Sequence, residues 1–387
     1  MNLIRPYYEI IEQSPGIQGI YDIIEDAGKT SYKSEVKGGE VAETFVKGRI
    51  KDEHGAVLEF GTVYLKIRIG SPMYDEDYIE KHADMLFYQG NKYSVVIEKN
   101  ESTIIDGISS APITSYYITT NYRVLVENKR LDDIEKYMVE ENIPTYHEKR
   151  HCVRFILDRF TGEEFLRHRV MSFCRESTRY VNYSKEIYGR NITFIIPPWI
   201  PTDILSEGNG VFYWDGDWVD EEKNIVCYGY KSRRVFYWLN ALNTAEMNYM
   251  LLTEDWRNFN GVDEFDAKPW TAQQARTLLP CAIKSPLVVC GFAHDFVHFF
   301  HLRALGTTGA PHPQAKELAE PLMKDFFNRG YLTPEKVYKE TGKYRKAKLI
   351  NLVNDDEYLL EVYKTSDGKW YDFLNDVMYN KDEIEFI

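Results

Sequence analysis

Two kinds of apolar pattern share this chain, and together they exclude an all-helical or an all-strand fold. From Val235 to about Asn258 ("VFYWLNALNTAEMNYMLLTEDWRN") apolar residues recur at intervals of three and four, the period of a long amphipathic helix. From Ala56 to Ile69 ("AVLEFGTVYLKIRI") β-branched and aromatic residues alternate in part with polar ones, which predicts a strand or a buried helix-to-strand junction. A second strand-like run, "CVRFILDRF", begins at Cys152. The expected fold class is therefore α+β. Neither an internal repeat nor a low-complexity segment interrupts it, so solenoids and propellers drop out.

Between these landmarks the sequence parses unevenly. Gly70 to about Arg150 is tyrosine-rich and charged and reads as an α/β insertion, with Tyr116 and Tyr117 as packing aromatics. In "TGEEFLRHR", Thr161 is an expected N-cap with Glu164 three residues on, so a strand should lead into a short helix carrying Arg167, His168 and Arg169. The apolar run "NITFIIPPWI" ends at two prolines. Gly208 to Tyr230 reads as loop with a D-G turn. "TAQQARTLLP" predicts a helix stopped at Pro280, "PLVVCGFAHDFVHFFHLRAL" one strongly apolar helix, and "HPQAKELAEPLMKDFFNRG" another. Beyond Gly330 the pattern turns β-rich, with a turn at Ser366 to Gly368. The expected division is 1–330 and a small C-terminal module, 331–387.

Charge narrows the partners. A formal net charge of -13 repels a nucleic-acid backbone, so an anionic ligand needs a local cationic cluster. No apolar run approaches the roughly 20 residues that span a bilayer, and "MNLIRPYYEIIEQSPG" has no basic n-region before an apolar stretch. A soluble, unexported, cytoplasmic protein is expected, with neither nucleic acid nor membrane as partner. Cys152, Cys174, Cys227, Cys281 and Cys290 are scattered and form no C-x-x-C pair, which suits reduced thiols.

Against that acidic background, "RHRVMSFCRESTRYVNYS" gathers Arg167, His168, Arg169, Arg175 and Arg179, with hydroxyls at Ser172, Ser177, Thr178 and Tyr180 between them. Arginine rather than lysine favours planar, bidentate recognition of phosphate. The competing reading is a solvated helix face with surface ion pairs. Ser177 lacks an evident His-Asp pair to activate it and reads as a ligand contact rather than a nucleophile. Cys174 reads as a small packing residue. His294, His298 and His301 stand at i, i+4 and i+7, a metal-ligand spacing, but no H-E-x-x-H glutamate accompanies them, and no metal is expected.

The spacing R-H-R, seven residues, then Ser177 and Arg179-Tyr180 resembles the signature of the flavin-dependent (ThyX-type) thymidylate synthases. "QQARTLLP", "HFFHLR" and "HPQAKELA" resemble three further family segments, and "AVLEFGTVYLKI" resembles an early one. The resemblance implies a ThyX-like mixed α/β core with a central antiparallel-rich sheet and long helices, in a homotetramer with shared active sites. It also implies reductive methylation of dUMP to dTMP, with methylenetetrahydrofolate and NADPH as co-substrates and FAD as cofactor. By it, Glu164, Arg167, Arg175, Ser177, Arg179, Arg276 and Arg303 would bind dUMP, and Arg303 would act catalytically by stabilising the ionised uracil. Thr62, Arg167, His168, Arg169, His298 and His312 would lie along FAD. Three departures stand out: Leu58-Glu59-Phe60 replaces the usual "LEH", Glu164 replaces a common glutamine, and His298 a common asparagine. The alternatives are a dUMP- and FAD-binding regulatory protein of the same fold, and a metal-dependent hydrolase built on the three histidines.

Overall fold

Near the N-terminus, extended chain gives way to a helix within fifteen residues. In this computed structural model the chain is described except at residues 35, 74, 102–103, 106–107, 110–112, 144, 201–205, 209–210, 214–232, 256, 258–267, 340–343, 350–358, 365–367 and 373–376. It divides into two units, Met1–Phe292 and Ala293–Ile387.

The first unit begins with β1 (Asn2–Ile4) and β2 (Tyr7–Ile11), followed by α1 (Gly16–Thr30) and α2 (Gly39–Lys51). Ile20, Ile23, Ile24 and Ala27 of α1 are buried, a stripe at the helical period. Gly28 lets α2 approach, since a Cβ there would lie 2.6 Å from Phe45 Cζ. A 3-10 turn, Gly55–Phe60, leads into β3 (Thr62–Ile69). The inserted segment then supplies α3 (Tyr78–Gly90), β4 (Val95–Glu101), the short strands β5 (Ile104–Ile105) and β6 (Ile108–Ser109), β7 (Ile113–Asn121), α4 (Tyr122–Glu127) and α5 (Asp132–Tyr137). It is α/β as expected: β7 runs antiparallel between β3 and β4. Asn121 ends β7 and caps α4, its side chain accepting the Val124 N–H at 3.1 Å.

After the insertion come β8 (Arg150–Ile156), α6 (Arg159–Phe165), β9 (Ser172–Arg175), β10 (Thr193–Ile195), β11 (Ser206–Gly208), β12 (Val211–Tyr213), α7 (Arg233–Thr253) and β13 (Leu287–Phe292). The sheet that positions the arginine-rich segment is antiparallel throughout, in the order β2-β8-β13-β9. Another sheet runs β10-β1-β12-β11, with β1 and β10 parallel. Leu239, Leu242 and Tyr249 of α7 share a core with Leu3 of β1 and Phe194 of β10.

Several expectations are corrected. Leu287–Phe292 is strand, not the start of a helix that begins only at Ala293. Its six residues are all buried, and a short run apolar on both faces has no period to tell strand from helix. Thr161 does not cap α6. The cap is Asp158, which accepts the Thr161 N–H at 3.0 Å and its hydroxyl at 2.5 Å. The helix therefore starts earlier and ends at Phe165, leaving Arg167 to Arg169 in the turn beyond it. Glu164 accordingly does not cap its own helix. "TAQQARTLLP" forms one α-turn, Ala272–Ala275, and a 3-10 turn, Arg276–Leu278. The expected loop over 208–230 contains β12, and its D-G turn lies outside the described residues.

His151 on β8 is 3% exposed, and burial pushes its imidazole down to about 3, with Lys149 adding to the shift and Glu12 opposing it. An unfolded histidine titrates near about 6.5, so between these values the unfolded chain binds a proton that the folded chain does not. The contribution is complete above about pH 6.5 and is lost as pH falls towards 3. At pH 5 the loss is on the order of 2 kcal/mol. Thermal unfolding at pH 7.5 and at pH 5 should show this drop, and a His151→Gln variant should show less of it.

In the second unit the helix Ala293–Arg303 packs Phe296 and Phe300 on Phe326 of the helix Pro313–Asn328. A short helix, Pro334–Tyr338, precedes β14 (Tyr344–Leu349), β15 (Leu359–Lys364), β16 (Trp370–Asp372), β17 (Val377–Tyr379) and β18 (Ile384–Phe386). These strands form an antiparallel sheet, β17-β16-β15-β14-β18, around Ala347, Leu360, Val362, Trp370 and Ile384. The β-rich C-terminal segment is as expected, while Ser366 and Asp367 of its turn lie outside the described residues. Among the described residues no helix is long and apolar enough to cross a membrane.

Candidate functional site

An edge strand and the turn after it present the arginine-rich segment. β9 pairs with β13 so that Cys174 stands opposite Val288 and Arg175 opposite Leu287. Cys174 faces the core with Phe60, Cys152 and Cys290. Arg175 reaches back to α6, where Nη2 pairs with Glu163 Oε1 at 2.9 Å. Its Nη1 is buried without a hydrogen-bond partner among the described residues. Gly162 makes room for it, since a Cβ there would stand 3.4 Å from Nη1.

Beyond β9 the chain closes a tight turn on Ser177. The Ser177 N–H donates to Ser31 O at 3.0 Å, and Ser177 O accepts from the N–H groups of Tyr180 at 3.1 Å and Val181 at 3.2 Å. Ser177 Oγ accepts the Arg179 N–H at 3.3 Å. Arg179 donates Nε–H to Gln273 Oε1 at 3.0 Å, and its guanidinium stands 5.6 Å from the Tyr180 ring centre. Gln273 lies three residues before Arg276, so the "STRY" and "QQAR" segments meet. Nη1 and Nη2 of Arg179 have no partner among the described residues.

The R-H-R residues occupy the turn between α6 and β9. Arg167 and Arg169 are exposed, and His168 is buried between them in sequence. Arg167, Arg169 and the half-buried Arg276 have no carboxylate partner among the described residues. Guanidinium groups without carboxylate partners are suited to binding anions, and Gln273 brings Arg179 to the segment that carries Arg276. The solvated-face reading predicted ion pairs along this run, and among the described residues Arg175 makes one, with Glu163.

A buried polar group behind the turn escaped the sequence reading. Glu176 accepts the Tyr183 hydroxyl at 2.7 Å. Burial raises its carboxyl above the usual range, with Tyr183, Lys284 and Lys33 opposing that shift. Lys33 lies 5.5 Å from each of the Tyr183 and Tyr188 ring centres, and burial lowers its ammonium. Glu176 was visible only as one acid in a basic run. Cys174 is buried, its thiol pushed up by burial, which makes it a poor nucleophile.

Thr62 opens β3 at a distance along the chain from this cluster. Gln13 clamps it from both sides, accepting the Thr62 N–H and donating to Thr62 O, each at 2.8 Å. Arg150 joins the two regions: Nη1 reaches Thr62 Oγ1 at 3.4 Å, and Nη2 reaches Ser172 Oγ at 3.3 Å. No pattern marked Arg150 in advance.

The remaining expected site residues belong to the second unit. His298 is exposed on the helix Ala293–Arg303, Arg303 is half-buried at its last position, and His312 is the exposed residue before the helix Pro313–Asn328. Of the histidine series, His301 has its Nε2 at 2.6 Å from Val337 O. Among the described residues no group of three or more His, Cys, Asp or Glu could hold a metal ion.

Residues 150–328 match the family model described as thymidylate synthase complementing protein. No curated protein matches the chain. Two solved structures are similar at 14% identity: the UMP/dUMP methylase PolB from Streptomyces cacaoi bound with 5-Br dUMP, and the same enzyme bound with 5-Br UMP. The first covers 85% of this chain and 93% of its own at a TM-score of 0.33, and the second 88% and 97% at 0.35. Likeness that loose carries no argument about this molecule. The matched segment spans the R-H-R turn, β9, the Ser177 turn and Arg276, so it is in this segment that the chain is similar to the family of thymidylate synthase complementing proteins.

Proposed function

We propose that this protein is an FAD-dependent thymidylate synthase that methylates dUMP to dTMP, with methylenetetrahydrofolate as carbon donor and NADPH as reductant. The observation that carries this reading lies inside the matched segment: among the described residues, Arg167, Arg169 and Arg276 have no acidic partner and the Nη atoms of Arg179 have none either. Arg167, Arg175, Ser177, Arg179 and Arg276 hold dUMP, chiefly by its phosphate, and Glu164 flanks them. His168 and Arg169, with Arg167, lie along FAD, joined by Thr62. The unneutralised guanidiniums fit a cofactor that carries a pyrophosphate. When bound, the flavin supplies the redox chemistry.

Arg303 stabilises negative charge on the uracil ring, which makes C5 nucleophilic. A guanidinium stays protonated at neutral pH, so this role is electrostatic and not that of a general base. No protein nucleophile is required, in keeping with the buried, raised thiol of Cys174. The assignments of Arg303, His298 and His312 rest on the resemblance in their own segments. We take 1–330 as the synthase-like part and 331–387 as an accessory module. Tyr237, Met247 and Leu251 stand exposed along α7 and supply apolar surface for the packing of a homotetramer.

The test is release of tritium from C5 of labelled dUMP, with FAD, NADPH and methylenetetrahydrofolate present and each omitted in turn. Release that requires FAD and the reductant is the expected result. Phe60, fully buried in an apolar cluster, favours one second reading, a dUMP- and FAD-binding regulatory protein. Tight dUMP binding without release, from protein with flavin bound, would favour it.

A further inference from the structure

A cavity of about 210 Å³ opens between the end of β2, the start of β3, Glu140 to Asn142, and Lys149 and Arg150. It shares only Thr62 with the residues assigned above. Its deep wall includes Arg150, Thr62, Cys152 and Cys290, each less than a tenth exposed. Arg150 donates to Glu59 O at 2.8 Å, Thr62 Oγ1 at 3.4 Å and Ser172 Oγ at 3.3 Å. All three acceptors are neutral, and no carboxylate pairs with this guanidinium among the described residues. A buried cation without a counter-charge is costly, so an anionic group entering the cavity would be drawn to it.

The rim carries the opposite sign. Glu12, Glu140 and Glu141 line it and are exposed. Glu12 is held by Lys149 at 2.5 Å, whereas Glu140 and Glu141 have no basic partner among the described residues. Gln13 is held in place by Thr62, which engages its amide oxygen and its amide nitrogen once each. The cavity is thus positive at its base and negative at its mouth, and neither a simple anion nor a simple cation satisfies both ends.

We propose that this cavity binds a small zwitterion of the amino-acid class, its carboxylate on Arg150 and its ammonium between Glu140 and Glu141. The cavity volume of about 210 Å³ leaves room for a small amino acid. Glu140 and Glu141 come from the inserted segment, after α5, which thereby contributes a binding function of its own.

Thermal unfolding of the full chain tests this with glycine, alanine, serine, β-alanine and 4-aminobutyrate, and with acetate and methylammonium as single-charge controls at matched ionic strength. At least one amino acid should raise the midpoint saturably, by about 3 °C at a hundred times its dissociation constant, and exceed both controls. The Glu140→Gln, Glu141→Gln double variant alters only exposed rim groups and should weaken that amino acid at least about tenfold while leaving the acetate effect unchanged. The Arg167→Ala variant should bind as the parent does, which separates this cavity from the nucleotide site. No shift with any amino acid, an acetate effect equal to theirs, or a double variant that binds normally overturns the proposal.

Discussion

Arg179→Ala should weaken dUMP binding by about 10- to 100-fold, the loss expected when a charge-assisted hydrogen-bond donor to phosphate is removed. The geometry makes this arginine an informative one to change. Its Nε–H is fixed by Gln273 and its ring neighbour is Tyr180, so the guanidinium is oriented before the ligand arrives and little ordering entropy is left to lose. Because Arg179 is exposed and makes no ion pair among the described residues, the thermal midpoint should barely move. Arg179→Lys should recover part of the affinity, since it keeps the charge but loses the planar fork. Titration of dUMP by calorimetry reads all three. An unchanged dissociation constant in Arg179→Ala would remove this residue from the site.

Phe60→Ala should destabilise the protein by about 3–5 kcal/mol, as for other fully buried aromatic rings cut to a methyl group. Phe60 is 0% exposed and packs among Ile23 and Ala27 of α1, Cys152 of β8, Cys174 of β9, and Val288 and Cys290 of β13. It therefore ties the helix to three strands of the sheet that positions the arginines. Phe60→Leu keeps most of the volume and should cost less than about 1.5 kcal/mol. Denaturant unfolding gives both values. If Phe60 instead served the cofactor, Phe60→Leu would change flavin affinity while stability stayed at the parent level.

What could be read from the sequence was chemistry that is contiguous in the chain. Arg167, Arg169, Ser177 and Arg179 fall within thirteen residues, and their spacing survived whatever local structure they adopted. That local structure was harder to read. Asp158 and Thr161 are both competent caps, and the carboxylate is the one that accepts two hydrogen bonds, which moved α6 by a turn and put the arginines beyond it. β13 lacked a period because it is buried on both faces. Arg150 was invisible for another reason: its partners, Glu59, Thr62 and Ser172, lie 91, 88 and 22 residues away, and no sequence window contains them together.

The order β2-β8-β13-β9 has a consequence for how the chain is made. The interior strand β13 spans Leu287–Phe292, whereas β9, which pairs with β13 alone in that sheet, ends at Arg175. At synthesis rates of roughly 5–20 residues per second, β9 waits about 6–23 s before the last residue of its partner exists. Until then β8 and β9 each have an open hydrogen-bonding edge that another strand can occupy. Pairing over such sequence separations is intrinsically slow. Nascent chains released before Phe292 should therefore be the species most dependent on chaperones and most prone to aggregate, although they already carry the complete R-H-R and Ser177 segments.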